Sequence, residues 1–256
     1  MERTPNLPRL AFVINLGSDA TLEPDDNRVR HIAHLFHSHR LPAAWAVFDA
    51  KRAKLVSAAQ LGLTDNALAL MTSHDGNLPA KQFQTKLHNQ FAALSRVTGT
   101  SISLVLGDAA QLRLQAALLS EKGIAAIISH SSMARASAHA QASSPRHLGC
   151  GLWQLTPSLT IPLRSRLWRM LPAQRCTVKQ LIAAGENTGT TLVEVNAEEL
   201  GRGSAHQLQS FEKLLREISW AASHNQLAMV TMSEVVAELD DVRRIKPQRS
   251  ILRTAA

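Results

Sequence analysis

The chain has no tyrosine, and only six phenylalanines and four tryptophans among its 256 residues. With so few aromatic rings, the core must be filled by leucine, alanine, valine and isoleucine. The hydrophobic content of 45% suffices for that and excludes a wholly disordered chain. Cysteine is equally scarce: Cys150 and Cys176 form neither a CxxC pair nor a zinc-finger spacing. No disulfide framework is written in the sequence, and two reduced thiols are expected. No apolar run approaches the length of a membrane span, and no basic segment leads into a long apolar stretch near residue 1. A soluble, cytoplasmic protein without membrane association is expected. There is also no glycine-rich loop after the first apolar run, where Gly17 stands alone, so a dinucleotide site is unsupported.

What is present in excess is positive charge. Twenty-eight lysines and arginines face twenty acidic residues, a formal net charge of +8. Such a balance speaks to partners rather than to fold and admits a nucleic acid or acidic polymer. The densest group is terminal: Arg243, Arg244, Lys246, Arg249 and Arg253. No aromatic interleaves it, as a stacking surface for single strands requires. The expectation is one domain over residues 1–242, followed by a flexible, solvated basic tail over 243–256.

Short apolar runs alternate with helical patterns along the chain. Residues 10–15 (LAFVIN) read as a buried strand. Asp25 or Asp26 is placed to cap a helix reaching Arg40, with Val29, Ile32, Ala33 and Phe36 on one face. Further strands are expected at 42–48, 67–71, 102–107, 124–129, 152–162 (interrupted by proline), 191–196 and 227–232. Helices are expected at 53–63, 80–97, 109–122, 178–184 and 208–223, with a last one capped by Ser233. Gly123 is a helix-ending signal. Residues 131–147 are small, polar and aperiodic, and read as a loop. Alternating strands and helices predict an α/β protein with a parallel sheet, and about seven units predict an open or irregular (β/α) barrel.

The order of these pieces carries a resemblance. A first strand with a short acidic turn, the segments LPAAWAVF (41–48), SHDGNL (73–78) and RVTG (96–99), and GLWQLTPSLTIP (151–162) together resemble the polysaccharide deacetylase family of the nodulation deacetylase type. The likeness spans most of the chain through order and pattern, with no motif intact. It implies a distorted (β/α) barrel and metal-assisted amide hydrolysis. In that chemistry one Asp and two His hold a divalent metal, a second Asp is the general base and a late His the general acid. Carried onto this chain, Asn15 falls on the base, Leu16 on the metal Asp, and Gly17 on the motif's Gly. Leu70 falls on the first His and His74 on the second. Leu104–Gly107 meets the Arg-x-Pro motif with neither residue, and Glu194–Asn196 meets the late His without one. Only His74 matches a ligand, and one imidazole does not hold a divalent ion. No cofactor is therefore expected; zinc enters only under a different alignment.

The residues left to act are few. Asn15, Asp19, His74 and Asp75 are the catalytic candidates, and Asn77, Trp153, Glu194 and Asn196 the ligand-binding ones. His74 and Asp75 sit in a turn-forming sequence, where a purely structural role competes. Asp25–Asp26 reads better as a helix cap than as an acid–base pair. His31, His34, His37 and His39 have turn spacing but no acidic or thiol companion, and read as a solvated face. Trp45 and Trp220 are expected in the core, Trp153 and Trp168 nearer the surface. A Ser-His-Asp triad is excluded, since adjacent turn residues cannot form the relay. The leading expectation is a degenerate deacetylase-like protein that binds a carbohydrate-type ligand or a partner protein. The alternatives are an active carbohydrate amide hydrolase with a rearranged site, and a basic protein binding nucleic acid or acidic polymer.

Overall fold

Parallel strands buried on both faces need continuous apolar runs, and the central strands are built this way. The computed structural model describes residues 7–17, 26–59, 67–72, 78–99, 101–129, 144–161, 177–185, 189–202 and 205–245. Strand β1 (Arg9–Asn15) is buried from Leu10 onward. It is followed by α1 (Asp26–Ser38), β2 (Ala44–Val47), α2 (Ala50–Ala59), β3 (Ala67–Met71), α3 (Ala80–Thr98) and β4 (Leu104–Gly107). Two short helices, α4 (Ala109–Arg113) and α5 (Ala116–Glu121), lead to β5 (Ala126–Ser129). Then come β6 (Arg146–Gly149), β7 (Leu152–Leu155), β8 (Leu159–Ile161), α6 (Val178–Ala184), β9 (Thr190–Asn196), α7 (Ala197–Arg202), α8 (Ala205–Ser223), β10 (Ala228–Met229) and α9 (Met232–Ile245).

The sheet order is β6-β7-β5-β4-β3-β2-β1-β9-β8, with β10 added to the start of β1. Every pairing is parallel except β6 with β7. Only Thr156–Ser158 separate β7 from β8, yet the two lie towards opposite ends of that order. Four residues span at most about 14 Å, so the sheet must curl until its edges nearly meet. The expected sixth strand is thus one extended segment that changes partners at Pro157. It pairs first with β5 and then with β9. Counted this way the described residues supply seven staves of the barrel, in line with the about seven units expected from the sequence.

Alternation along the strands divides the interior into two cores. Phe12, Ile14, Trp45, Val47 and Val193 face the helices and pack with Phe36, Leu87, Phe211 and Leu215. Edge-to-face contacts join Phe36 to Phe12 at 5.2 Å and to Trp45 at 5.8 Å. These pairs contribute about 0.5–1.5 kcal/mol each beyond burial. The opposite, concave face is lined by smaller residues, Ala11, Val13, Ala44, Ala46, Ala69 and Ala126. That lining leaves room for α9, whose Val235 and Val236 enter this inner core. The helix spans the barrel at the strand starts. Glu238 accepts from Arg9 at the head of β1, and Asp240 accepts from the Trp153 indole N–H of β7 at 2.7 Å. Arg243 meets His147 of β6, and desolvation, followed by the Arg243 charge, lowers the His147 pKa.

Several expectations are corrected. The helix over 109–122 breaks at Leu114 and Gln115 into α4 and α5, leaving Leu114 80% exposed. The end of the expected loop is strand β6, paired with β7 by a hairpin turn at Cys150, an exposed free thiol. The last helix is capped by Thr231, not Ser233: Thr231 Oγ1 accepts from the Glu234 N–H, and the Glu234 carboxylate accepts from the Thr231 N–H. Helix α9 runs to Ile245 and takes in Arg243 and Arg244 from the predicted tail. Trp220 is exposed and stacks on His224 at 4.2 Å, whereas Trp153, expected near the surface, is buried. Residues 130–143, Trp168, Cys176 and 246–256 lie outside the described residues. Among the described residues, no helix is long and apolar enough to cross a membrane.

Candidate functional site

With α9 across the strand starts, the opposite mouth, at the C-terminal ends of the strands, is where a parallel barrel carries its chemistry. Asn15 is the last residue of β1. Its neighbours Ile14 and Leu16 both pack in the outer core, so period-two alternation turns Asn15 inward. Glu194 of β9 is turned inward in the same way, between the outward Val193 and Val195. The register sets Val13 opposite Glu194 and Asn15 opposite Asn196, so Asn15 reaches Glu194 along the diagonal. Its Nδ2 donates to Glu194 Oε1 at 2.9 Å, and its Oδ1 accepts the Gly17 N–H at 2.9 Å. Asn15 is 1% exposed and Glu194 fully buried. One donor and one acceptor contact fix the amide in a single orientation.

The rim continues this polar patch. Thr160 of β8 is opposite Glu194 on its other side. Asn196 ends β9, and its Oδ1 accepts the Glu199 N–H at 3.1 Å, which starts α7. Gly17 has φ +86°, and a Cβ there would come within 2.3 Å of Glu198 Oε2. Glycine is therefore needed both for the left-handed backbone and for the close approach of a second carboxylate. The sequence reading missed Glu198; a carboxylate two residues past a strand end, beside the asparagine that ends it, was the available signal.

The predicted residues divide as follows. Asn15, Glu194 and Asn196 come together at the mouth. Trp153 does not join them: it lies by the strand starts, with its ring edge-on to His147 at 4.9 Å. Asp19, His74, Asp75 and Asn77 lie outside the described residues. Leu16 and Leu70, placed by sequence on ligand positions, both pack against the helices in the outer core. The inward residues of β3 are Ala67, Ala69 and Met71, none a ligand for a hard cation. His31, His34 and His37 are exposed on α1. Among the described residues, no group of three or more His, Cys, Asp or Glu is placed to hold a metal ion. Asn15 and Glu194 are closed off from solvent, and the half-buried Thr160, Asn196 and Glu198 carry the hydroxyl, amide and carboxylate groups that reach the rim of the mouth.

No family model and no curated protein matches the sequence. Solved structures do match. A Mycobacterium smegmatis protein assigned as a polysaccharide deacetylase superposes with a TM-score of 0.63 at 13% identity, over 95% of this chain and 94% of that one. The PuuE allantoinase gives 0.60 at 12% identity, over 93% and 92%. A CE4-family pseudoenzyme from Bacillus anthracis gives 0.51 at 9% identity, over 91% and 66%. At these identities the likeness establishes architecture: the chain has the curled (β/α) barrel fold of the polysaccharide deacetylases.

Proposed function

We propose that this is a polysaccharide deacetylase-like protein that binds a carbohydrate-type ligand at the C-terminal mouth of the barrel without metal-dependent deacetylation. The observation that carries the reading is the Asn15–Glu194 pair. The resemblance places the general base at residue 15, and an amide does not accept a proton from water as a carboxylate does. The buried amide is already committed to Glu194 and to the Gly17 N–H. The shared fold supports the carbohydrate class by analogy, since a fold hosts many chemistries. The small inner side chains and the acceptor-rich rim suit a ligand rich in hydroxyl groups.

The test is metal analysis of protein purified without a histidine tag, an acetate-release assay on N-acetylated sugar oligomers, and calorimetric binding of the same oligomers. The expected result is no stoichiometric zinc, no acetate release, and binding that Asn15→Ala weakens. Stoichiometric zinc accompanied by turnover overturns the proposal. Acetate release abolished by His74→Ala would instead establish the rearranged hydrolase.

A further inference from the structure

A second concavity lies outside the barrel, beside the mouth. It is a shallow groove, largely open to solvent, that runs along α3 against the turn between β2 and α2 with a volume of about 760 Å³. From Lys81 to Leu94 its lining comes in adjacent pairs that repeat every four residues, so a single stripe of α3 forms one wall for about 20 Å. Phe48 and Asp49 form the other wall. The groove starts where α3 leaves the C-terminal end of β3, which places it on the same side of the barrel as Asn15 and Glu194.

Its chemistry has a sign. Among the described lining residues the one carboxylate, Asp49, is held by the buried Arg52 guanidinium at 2.8 Å. Lys81 and Lys86 are the lining cations. Lys86 is held over the Phe48 ring, 5.7 Å from its centroid. The two lysines are five residues apart, about 7.5 Å along the helix axis. Between and beyond them lie Thr85 and Asn89, a hydroxyl and an amide that hydrogen-bond neutral hydroxyls. Among the described lining residues Phe48 is the one aromatic, and Lys86 stands over its ring, so they offer no open platform for stacking bases.

From this arrangement we infer that the groove is an extension of the binding site that takes an acidic oligosaccharide, its carboxylates at Lys81 and Lys86. The inference rests on the carbohydrate reading of the mouth and deepens it: the ligand is a polyanionic glycan that passes from the mouth along α3.

The experiment compares calorimetric binding of an oligogalacturonate and its carboxyl-reduced neutral counterpart to the full chain, to Lys81→Gln/Lys86→Gln, to Lys81→Gln alone and to Asn15→Ala. Exposed Lys81 can be replaced without disturbing the core. The double variant is expected to bind the acidic oligomer about tenfold more weakly, as two partly exposed ion pairs would give. Lys81→Arg/Lys86→Arg restores affinity, added salt weakens it, and the neutral oligomer is unaffected by the lysine changes. An equal loss for both oligomers overturns the inference. So does no preference of the full chain for the acidic one, or the same lysine-dependent affinity for a single-stranded RNA. A neutral oligomer that still depends on Asn15 while the lysines prove silent removes the groove and leaves the mouth; loss of both removes the underlying reading.

Discussion

Asn15→Asp tests the geometry of the mouth most directly. The substitution conserves shape but replaces a donor with a second carboxylate, 2.9 Å from Glu194 Oε1, where both residues are buried. Two carboxylates so close and so dry cannot both ionise, and the pair must keep one proton. Holding that proton at pH 7 costs about 1.4 kcal/mol for each pH unit above about 4, so the penalty reaches roughly 4 kcal/mol. The sign is definite. The folded state binds more protons than the unfolded chain, so the variant loses stability as pH rises above about 4. It recovers as acid protonates both states. Thermal unfolding followed by circular dichroism from pH 4 to 7 reads the effect directly. At pH 7 the melting temperature should fall by about 10 °C for a chain of this size. Adding Glu194→Gln restores one amide and one carboxylate with their positions exchanged, and should recover most of the loss. A pH-independent deficit, or no recovery in the double variant, would refute the claim that these two side chains meet inside the barrel.

Three further outcomes follow from single contacts. Gly17→Ala must adopt φ near +86° and displace the Glu198 carboxylate, so it should destabilise by about 1–2 kcal/mol in denaturant titration; a neutral result would contradict the close approach. Thr231→Ala removes the α9 cap at a cost of about 1 kcal/mol. Backbone and side-chain hydrogen bonds from Thr231 hold the Glu234 pKa below its ordinary value, so their stabilisation is full above the ordinary glutamate range and disappears on acidification through the lowered value. The gap between wild type and variant should therefore narrow in acid. Trp153→Phe keeps the ring but removes the indole donor from Asp240, and should cost about 1–2 kcal/mol and raise amide exchange in α9 first. Uniform exchange along the chain would show that this contact does not anchor the helix.

The elements legible in the sequence are those whose pattern is local. The stripe Phe83, Leu87, Phe91 and Leu94 marks α3 because all four face one side, and all four are buried. Gly123 marks the end of α5 because its backbone is left-handed, φ +78°. What stayed hidden depends on partners distant in the chain. Nothing within residues 152–162 says that their first half pairs with β5 and their second half with β9. Trp153 is buried because α9, some eighty residues later, supplies Asp240. Trp220 is exposed because the buried stripe of α8 passes through Ile218 and Ala221. The first two depend on distant partners; the exposure of Trp220 follows from the periodicity of its own helix and was open to a reading of that stripe.

The same distinction decides what Leu16 and Leu70 can say about the mouth. A degenerate motif aligned by position alone says which residue stands where, but a strand alternates faces, and an error of one residue reverses every side chain. Leu16 and Leu70 were conspicuous because leucine cannot bind a metal. In the folded chain both are ordinary outer-core residues, and their identity carries no information about the mouth. The informative residue is the neighbour. Asn15 faces inward, shares a buried hydrogen bond with a carboxylate 179 residues away in sequence, and is oriented by the backbone of Gly17. Of these residues, the inward amide of Asn15, held by Glu194 and Gly17, is the one that bears on the proposed absence of deacetylase chemistry; the two outward leucines are not.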